Sequence, residues 1–112
     1  MGTKHTPGPW DWHAKLSASE NHRGFVIRAN GSRFQIADVS PLDEDGDEGR
    51  ANTLLIAAAP ELLEAANLVL SWYEAEEDHS KADFYQRMDM CRASETAIRN
   101  AIAKATGASN GN

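Results

Sequence analysis

One cysteine, Cys91, stands in 112 residues, so neither an intramolecular disulfide nor a CxxC metal knuckle is open to the chain. A reducing cytoplasm is the expected compartment. No apolar run approaches the roughly 20 residues that span a bilayer, and the first residues lack the apolar stretch of a secretory signal. No membrane partner is expected. Reactive chemistry is as sparse. The four histidines, His5, His13, His22 and His79, never take the i, i+4 spacing of a helical metal site. Gly24, Gly31 and Gly46 form neither a GxGxxG nor a P-loop, and no serine occupies a GxSxG elbow. Asp43, Asp45 and Asp47 have the spacing of the first ligands of a calcium loop. Glu48, however, stands where that loop needs glycine, and Leu54 where it needs the closing glutamate. The carboxylates of EAEED at 74–78 read as a solvated helix end. Cys91 falls on an apolar helical stripe, the place of a small hydrophobe rather than a nucleophile. No catalytic residue, no metal and no cofactor are expected, and the chain reads as non-enzymatic.

Charge is present but unevenly spread. The net charge of −6 divides into +3 over residues 1–35 and −9 over the rest. General nucleic-acid binding calls for a basic excess over the whole domain, so it is not expected. The first third can still hold a small anion. The acidic remainder suits a solvated surface, DNA mimicry or capture of a basic partner.

HTPGPW at 5–10 cannot be helical. Pro7 and Pro9 fix φ and bias the residues before them toward extended backbone, while Gly8 allows a tight change of direction. It reads as a rigid strap that delivers Trp10 over one end of the core. From Trp10 to Lys15 the chain alternates with the period of a strand, Trp10, Trp12 and Ala14 sharing the buried face. Asn30-Gly31 between two apolar-rich runs signals a β-hairpin of type I′, with strands near 24–29 and 32–39. That register pairs Arg28 with Arg33 and puts Phe25, Ile27, Phe34 and Ile36 on the core face.

Residues 41–48 form an acidic loop that brings negative charge to the start of the next helix. From about residue 49 the chain is helical. Ala51, Leu54, Leu55 and Ala58 mark a short helix, and Pro60 breaks it and opens a second. Leu62, Ala66, Val69 and Tyr73, flanked by Leu63 and Leu70, give that helix an apolar stripe. Ser80 with Asp83 reads as a variant capping box for a last helix that runs to Thr106 and stops at Gly107. Its stripe is Phe84, Met88, Cys91, Glu95, Ile98, Ile102 and Ala105, interrupted only by Glu95. The expectation is one α+β domain over 1–112: a three-stranded antiparallel meander over 1–40, the acidic loop, helices over 49–106, and a flexible tail over 107–112. The meander is expected to pack on two long antiparallel helices. Leu63, Leu70 and Trp72, with Tyr85, Ala97 and Ala101, exceed a single stripe and point to a homodimer or larger symmetric oligomer through the helices.

The candidate ligand site lies on the sheet. Arg28 and Arg33, like charges facing each other across strands, need compensation. With His13 and Lys15 beside them and Trp12 near by, they suit a phosphate or carboxylate, which guanidinium forks bind bidentately.

Three segments, HTPGPW at 5–10, ANTLLIAAAPELLEAA at 51–66 and AIAKATG at 101–107, resemble a widespread group of small proteins encoded by phages and prophages. Members of that group begin with HTPGPW and carry a segment close to ANARLIAAAPELLEAL. Here Thr53 and Leu54 stand where that segment has Ala-Arg. The resemblance implies a phage accessory protein in the cytoplasm of the bacterial host, of a kind that often counters host defences. Two binding mechanisms follow. One sequesters a nucleotide-type immune signal, by fold-level analogy with anti-Thoeris sponges. The other docks on a host defence protein, in the manner of an anti-CRISPR inhibitor, through the acidic helical surface. A structural or regulatory phage protein is the third reading.

Overall fold

The computed structural model describes residues 4–16, 23–42 and 45–108. Three antiparallel strands, β1 (Trp10–Leu16), β2 (Arg23–Ala29) and β3 (Gln35–Val39), are followed by helices α1 (Asp47–Ala57), α2 (Ala59–Glu77) and α3 (Phe84–Thr106). The sheet order is β1-β2-β3, the meander expected of an α+β chain. Residues 43 and 44 of the acidic loop, with Asp43 of the calcium comparison, His22, and residues 109–112 of the expected tail lie outside the described residues.

The β2–β3 register differs from the expected one. Phe25 pairs with Val39 and Ile27 with Ala37, and a bulge falls between Ile27 and Arg28, which lies opposite Gln35 rather than Arg33. The turn is closed by the Ser32 amide donating to the Ala29 carbonyl at 2.8 Å. Only Gly31 takes a left-handed φ there, 78°, so the turn is not the type I′ form, which needs both central residues left-handed. Without the matching twist, β3 begins three residues later than expected. An odd shift of register exchanges the faces of a strand. Ala37 and Val39 therefore join Phe25 and Ile27 on the packed face, and Phe34 is left 70% exposed.

The packing partner of the sheet also differs. Among the described helices, α1 is the one that packs on the sheet, and α1 in turn lies on α3. Three strands about 4.8 Å apart make a surface roughly 10 Å wide, enough for one short helix and too little for two long ones. The core beneath α1 contains Ile27 and Thr53, both at 0% exposure. The Thr53 hydroxyl is satisfied by donating to the Gly49 carbonyl at 2.7 Å. Gly49 has to be glycine, because a Cβ there would lie 2.5 Å from Pro41 Cα and collide with the Ser40 carbonyl. Asp47 and Glu48 occupy the first turn of α1, where the helix dipole favours them.

Pro60 separates α1 from α2 as expected, with a bend of 47°. The α2–α3 hairpin closes on small residues: Ala65, Ala75, Ala82, Ser94 and Ala101 are the buried positions. Ala101 is buried within the single chain and Ala97 is half-buried, so Ala101 is not free for the contact between chains expected of it. Arg87 reaches Glu76 at 3.0 Å and Lys104 reaches Glu61 at 3.0 Å, tying the hairpin at both ends. The cap of α3 is Asp83 with Gln86, each side chain accepting from the other's amide at 2.8 Å. Ser80 is not part of it. It bonds Asp78 instead, through its hydroxyl at 2.6 Å and its amide at 3.1 Å. Those two bonds, the hydroxyl foremost, hold the Asp78 carboxyl below its ordinary value of 3.8. Gly107 ends α3 at φ 75°, as expected.

The radius of gyration is 17.7 Å and the extents are 62 × 31 × 20 Å. A compact 100-residue domain has a radius near 13 Å. The hairpin projects beyond the sheet.

Candidate functional site

The strap folds on itself. The Trp10 indole N–H donates to the Thr6 carbonyl at 3.1 Å, and the His5 ring stands edge-on to it at 6.4 Å. Gly8, joined to Pro9 by a cis peptide, rests on Pro60 so closely that a Cβ would lie 2.7 Å from Pro60 Cβ. Trp10 is half-buried rather than sealed in the core. Between the strap and α2 runs an open groove of about 500 Å³, with His5, Glu64, Asn67 and Ser71 among its polar lining. Sequence reasoning assigned no groove here.

The outer sheet face holds part of the nominated site. Asp11 lies opposite Arg28, His13 opposite Val26 and Lys15 opposite Gly24. His13 Nε2 is 3.2 Å from Asp11 Oδ2, an exposed pair worth under about 1 kcal/mol. Asp11 Oδ1 and Arg28 Nε are both shut off from water without a hydrogen-bond partner. The Lys15 side chain lies outside the described residues. Arg33 does not join this face as Arg28's cross-strand partner. It is exposed in the turn, its guanidinium 5.4 Å from the Phe34 ring centroid. Trp12 points to the opposite side, toward α1, edge-on to Phe25 at 5.8 Å and beneath the Arg50 guanidinium at 5.5 Å. Ala14, expected to be buried beside it, is exposed. The structure thus gathers Arg28 and His13 with the Lys15 backbone position, and separates Trp12 and Arg33 from them.

The second surface is the hairpin. The stripes expected to face the sheet are present, but the sheet does not cover them. On α2, Leu70 and Tyr73 are more than half exposed; on α3, Phe84 and Ile102 are too, with Met88 and Ile98 only partly covered. Trp72 of α2 shares one groove with Phe84, Met88 and Cys91 of α3, which puts the two stripes on the same side of the hairpin. The strap takes the other side of α2, along Glu64, Asn67, Leu68 and Ser71. Five carboxylates and no cation lie along α2, against four cations and two carboxylates on α3. Among the described residues there is no cluster of three or more His, Cys, Asp or Glu able to hold a metal ion, and no single helix is long and apolar enough to cross a membrane.

These features define a small α+β protein whose distinctive surface is a projecting helical hairpin, with open grooves and half-exposed apolar side chains. A profile of the family described as Salmonella phage P22 protein Y8K6 matches residues 1–109, and the chain belongs to that family. No curated protein and no solved structure matches it.

Proposed function

We propose that this phage protein is a non-enzymatic accessory protein of the host cytoplasm that acts in counter-defence by docking on a host protein. The observation that carries this reading is the α2–α3 hairpin, which stands clear of the sheet with a half-exposed apolar face beside an acidic helix. Apolar area left uncovered on a small domain marks a contact surface, and the single-sign charge of α2 steers association toward a basic partner. The test is phage plating on hosts that carry individual defence systems. The protein should restore plating against one of them, and Glu74→Lys with Glu77→Lys should abolish the rescue. Rescue undiminished in the charge-reversed variant sinks the docking reading.

Sequestration of a nucleotide-type signal keeps one supporting observation, the unpartnered Arg28 Nε facing Asp11 on the outer sheet. Calorimetric titration with cyclic dinucleotides and ADP-ribose-type signals tests it. Heat that disappears in an Arg28→Ala, Arg33→Ala variant would favour it over docking.

A further inference from the structure

The apolar side of the hairpin has a specific occupant. We infer that a second copy of this chain covers it, forming a two-fold four-helix bundle whose sheets lie at one end. The inference rests on the proposal that the hairpin is a contact surface: it gives the apolar side to a second copy and leaves the acidic edge of α2 to the host protein.

The area fits. Six large apolar side chains, each about half exposed and roughly 200 Å² in size, leave about 600 Å² per copy on this side. Two copies would bury about 1,200 Å², the lower end of specific stable interfaces. The pattern fits as well. The α3 stripe repeats at 4, 3, 4, 3, 4 from Phe84 to Ile102, the spacing of a seam between helices, yet within the chain α3 meets α2 through Ser94 and Ala101 instead.

Charge selects the arrangement. An axis across the helices would lay α2, a helix of five carboxylates and no cation, along the second copy's α2. An axis parallel to the helices lays α2 along the second copy's α3, which carries four cations and two carboxylates, so helices of opposite net charge lie side by side. The Arg87–Glu76 and Lys104–Glu61 pairs set the relative height of α2 and α3. Under the parallel axis the same heights hold between copies, so Ile98 comes level with Ala66 of the second copy and Ile102 with Leu62. Glu95, held by Arg99 at 2.9 Å, is the one charge in the seam and disfavours slipped registers. The outer carboxylates of α2, Glu74 and Glu77, stay at the rim for a different partner.

Light scattering on the purified chain at micromolar concentration should give about 24 kDa, twice the chain mass of 12.2 kDa. Leu70→Glu with Ile98→Glu should return the mass to that of one chain while circular dichroism stays helical. If that variant does not fold, Tyr73→Glu alone, at a position 55% exposed in the single chain, is read the same way. A single-chain mass for the wild type overturns the inference, and so does a dimer that persists in a folded variant. For the axis, Ser80→Cys at the hairpin tip in a Cys91→Ser background should be joined to its twin by a short bis-maleimide; a dimer that resists cross-linking overturns the parallel arrangement. The mass is read on the protein alone, so a missing host partner leaves it untouched, and a monomer leaves docking to be decided by the plating assay.

Discussion

The sheet with α1 and the α2–α3 hairpin solve the same problem in opposite ways. Beneath α1, large and small side chains interlock: Ile27 and Thr53 are sealed, Gly49 lets the 40–41 backbone touch the helix, and Phe25 meets Trp12 edge-on. In the hairpin the sealed residues are alanines and a serine, while leucine, isoleucine, tyrosine and phenylalanine remain at the surface. An alanine seam brings helices close but removes little apolar area from water, whereas a filled core gains about 25 cal/mol for each Å² buried. The body seals Ile27, although Phe34, Leu42 and Leu55 around it stay more than half exposed. The hairpin holds apolar area in reserve.

The sharpest way to break this contrast is a matched pair of truncations. Ile27→Ala should cost about 2 to 5 kcal/mol by denaturant unfolding, since the side chain is wholly buried. Ile102→Ala, at 51% exposure, should cost under about 1.5 kcal/mol in dilute protein. Equal losses would show the two regions to be packed alike. Overfilling comes next. Ala101→Leu has no room in the seam and should cost about 1 to 3 kcal/mol, with a lower melting temperature as the readout. A stabilised variant would reveal a looser seam than the structure shows. Trp10→Ala should cost about 2 kcal/mol, since the ring is half-buried and its indole N–H has a local partner in Thr6. A loss as large as that of Ile27→Ala would make the strap part of the core.

Two smaller effects belong to the hairpin tip. Asp83→Ala removes the accepting half of the cap of α3 and should cost about 1 kcal/mol, seen as fraying of residues 84–87 by hydrogen exchange. No faster exchange would mean that packing alone holds that turn. The Asp78–Ser80 contact is smaller still and depends on pH. The folded-state pKa of Asp78 lies below its ordinary 3.8, so its contribution is present above 3.8 and fades as pH falls through the lower folded value. Ser80→Ala should raise the Asp78 pKa toward that ordinary value in an NMR titration. An unchanged midpoint would remove the serine as the cause.

Much of the local structure was legible from particular residues. Pro60 marked the break between α1 and α2, Gly107 the end of α3, and HTPGPW a segment that could not be helical. Each is a short-range constraint on φ or on a hydrogen bond, and needs no partner to be read. The site was less legible. Arg28 and Arg33 were matched by counting from Asn30-Gly31, and a bulge between Ile27 and Arg28 changed the count. Asp11, which register places opposite Arg28, drew no notice, because a lone carboxylate in a strand gives no signal until its cross-strand neighbour is known.

The chain's own pattern determined the three strands and three helices of the described residues, the ends of the helices apart from the start of α3, which was expected at Ser80 and is capped by Asp83, and which faces of α2 and α3 are apolar. Only the tertiary structure decided what those faces meet. Periodicity records that one side of a helix avoids water, but the area needed to cover it is a property of the neighbour. Here a sheet roughly 10 Å wide has room for α1 alone, and the hairpin stripes are left half-exposed at the surface.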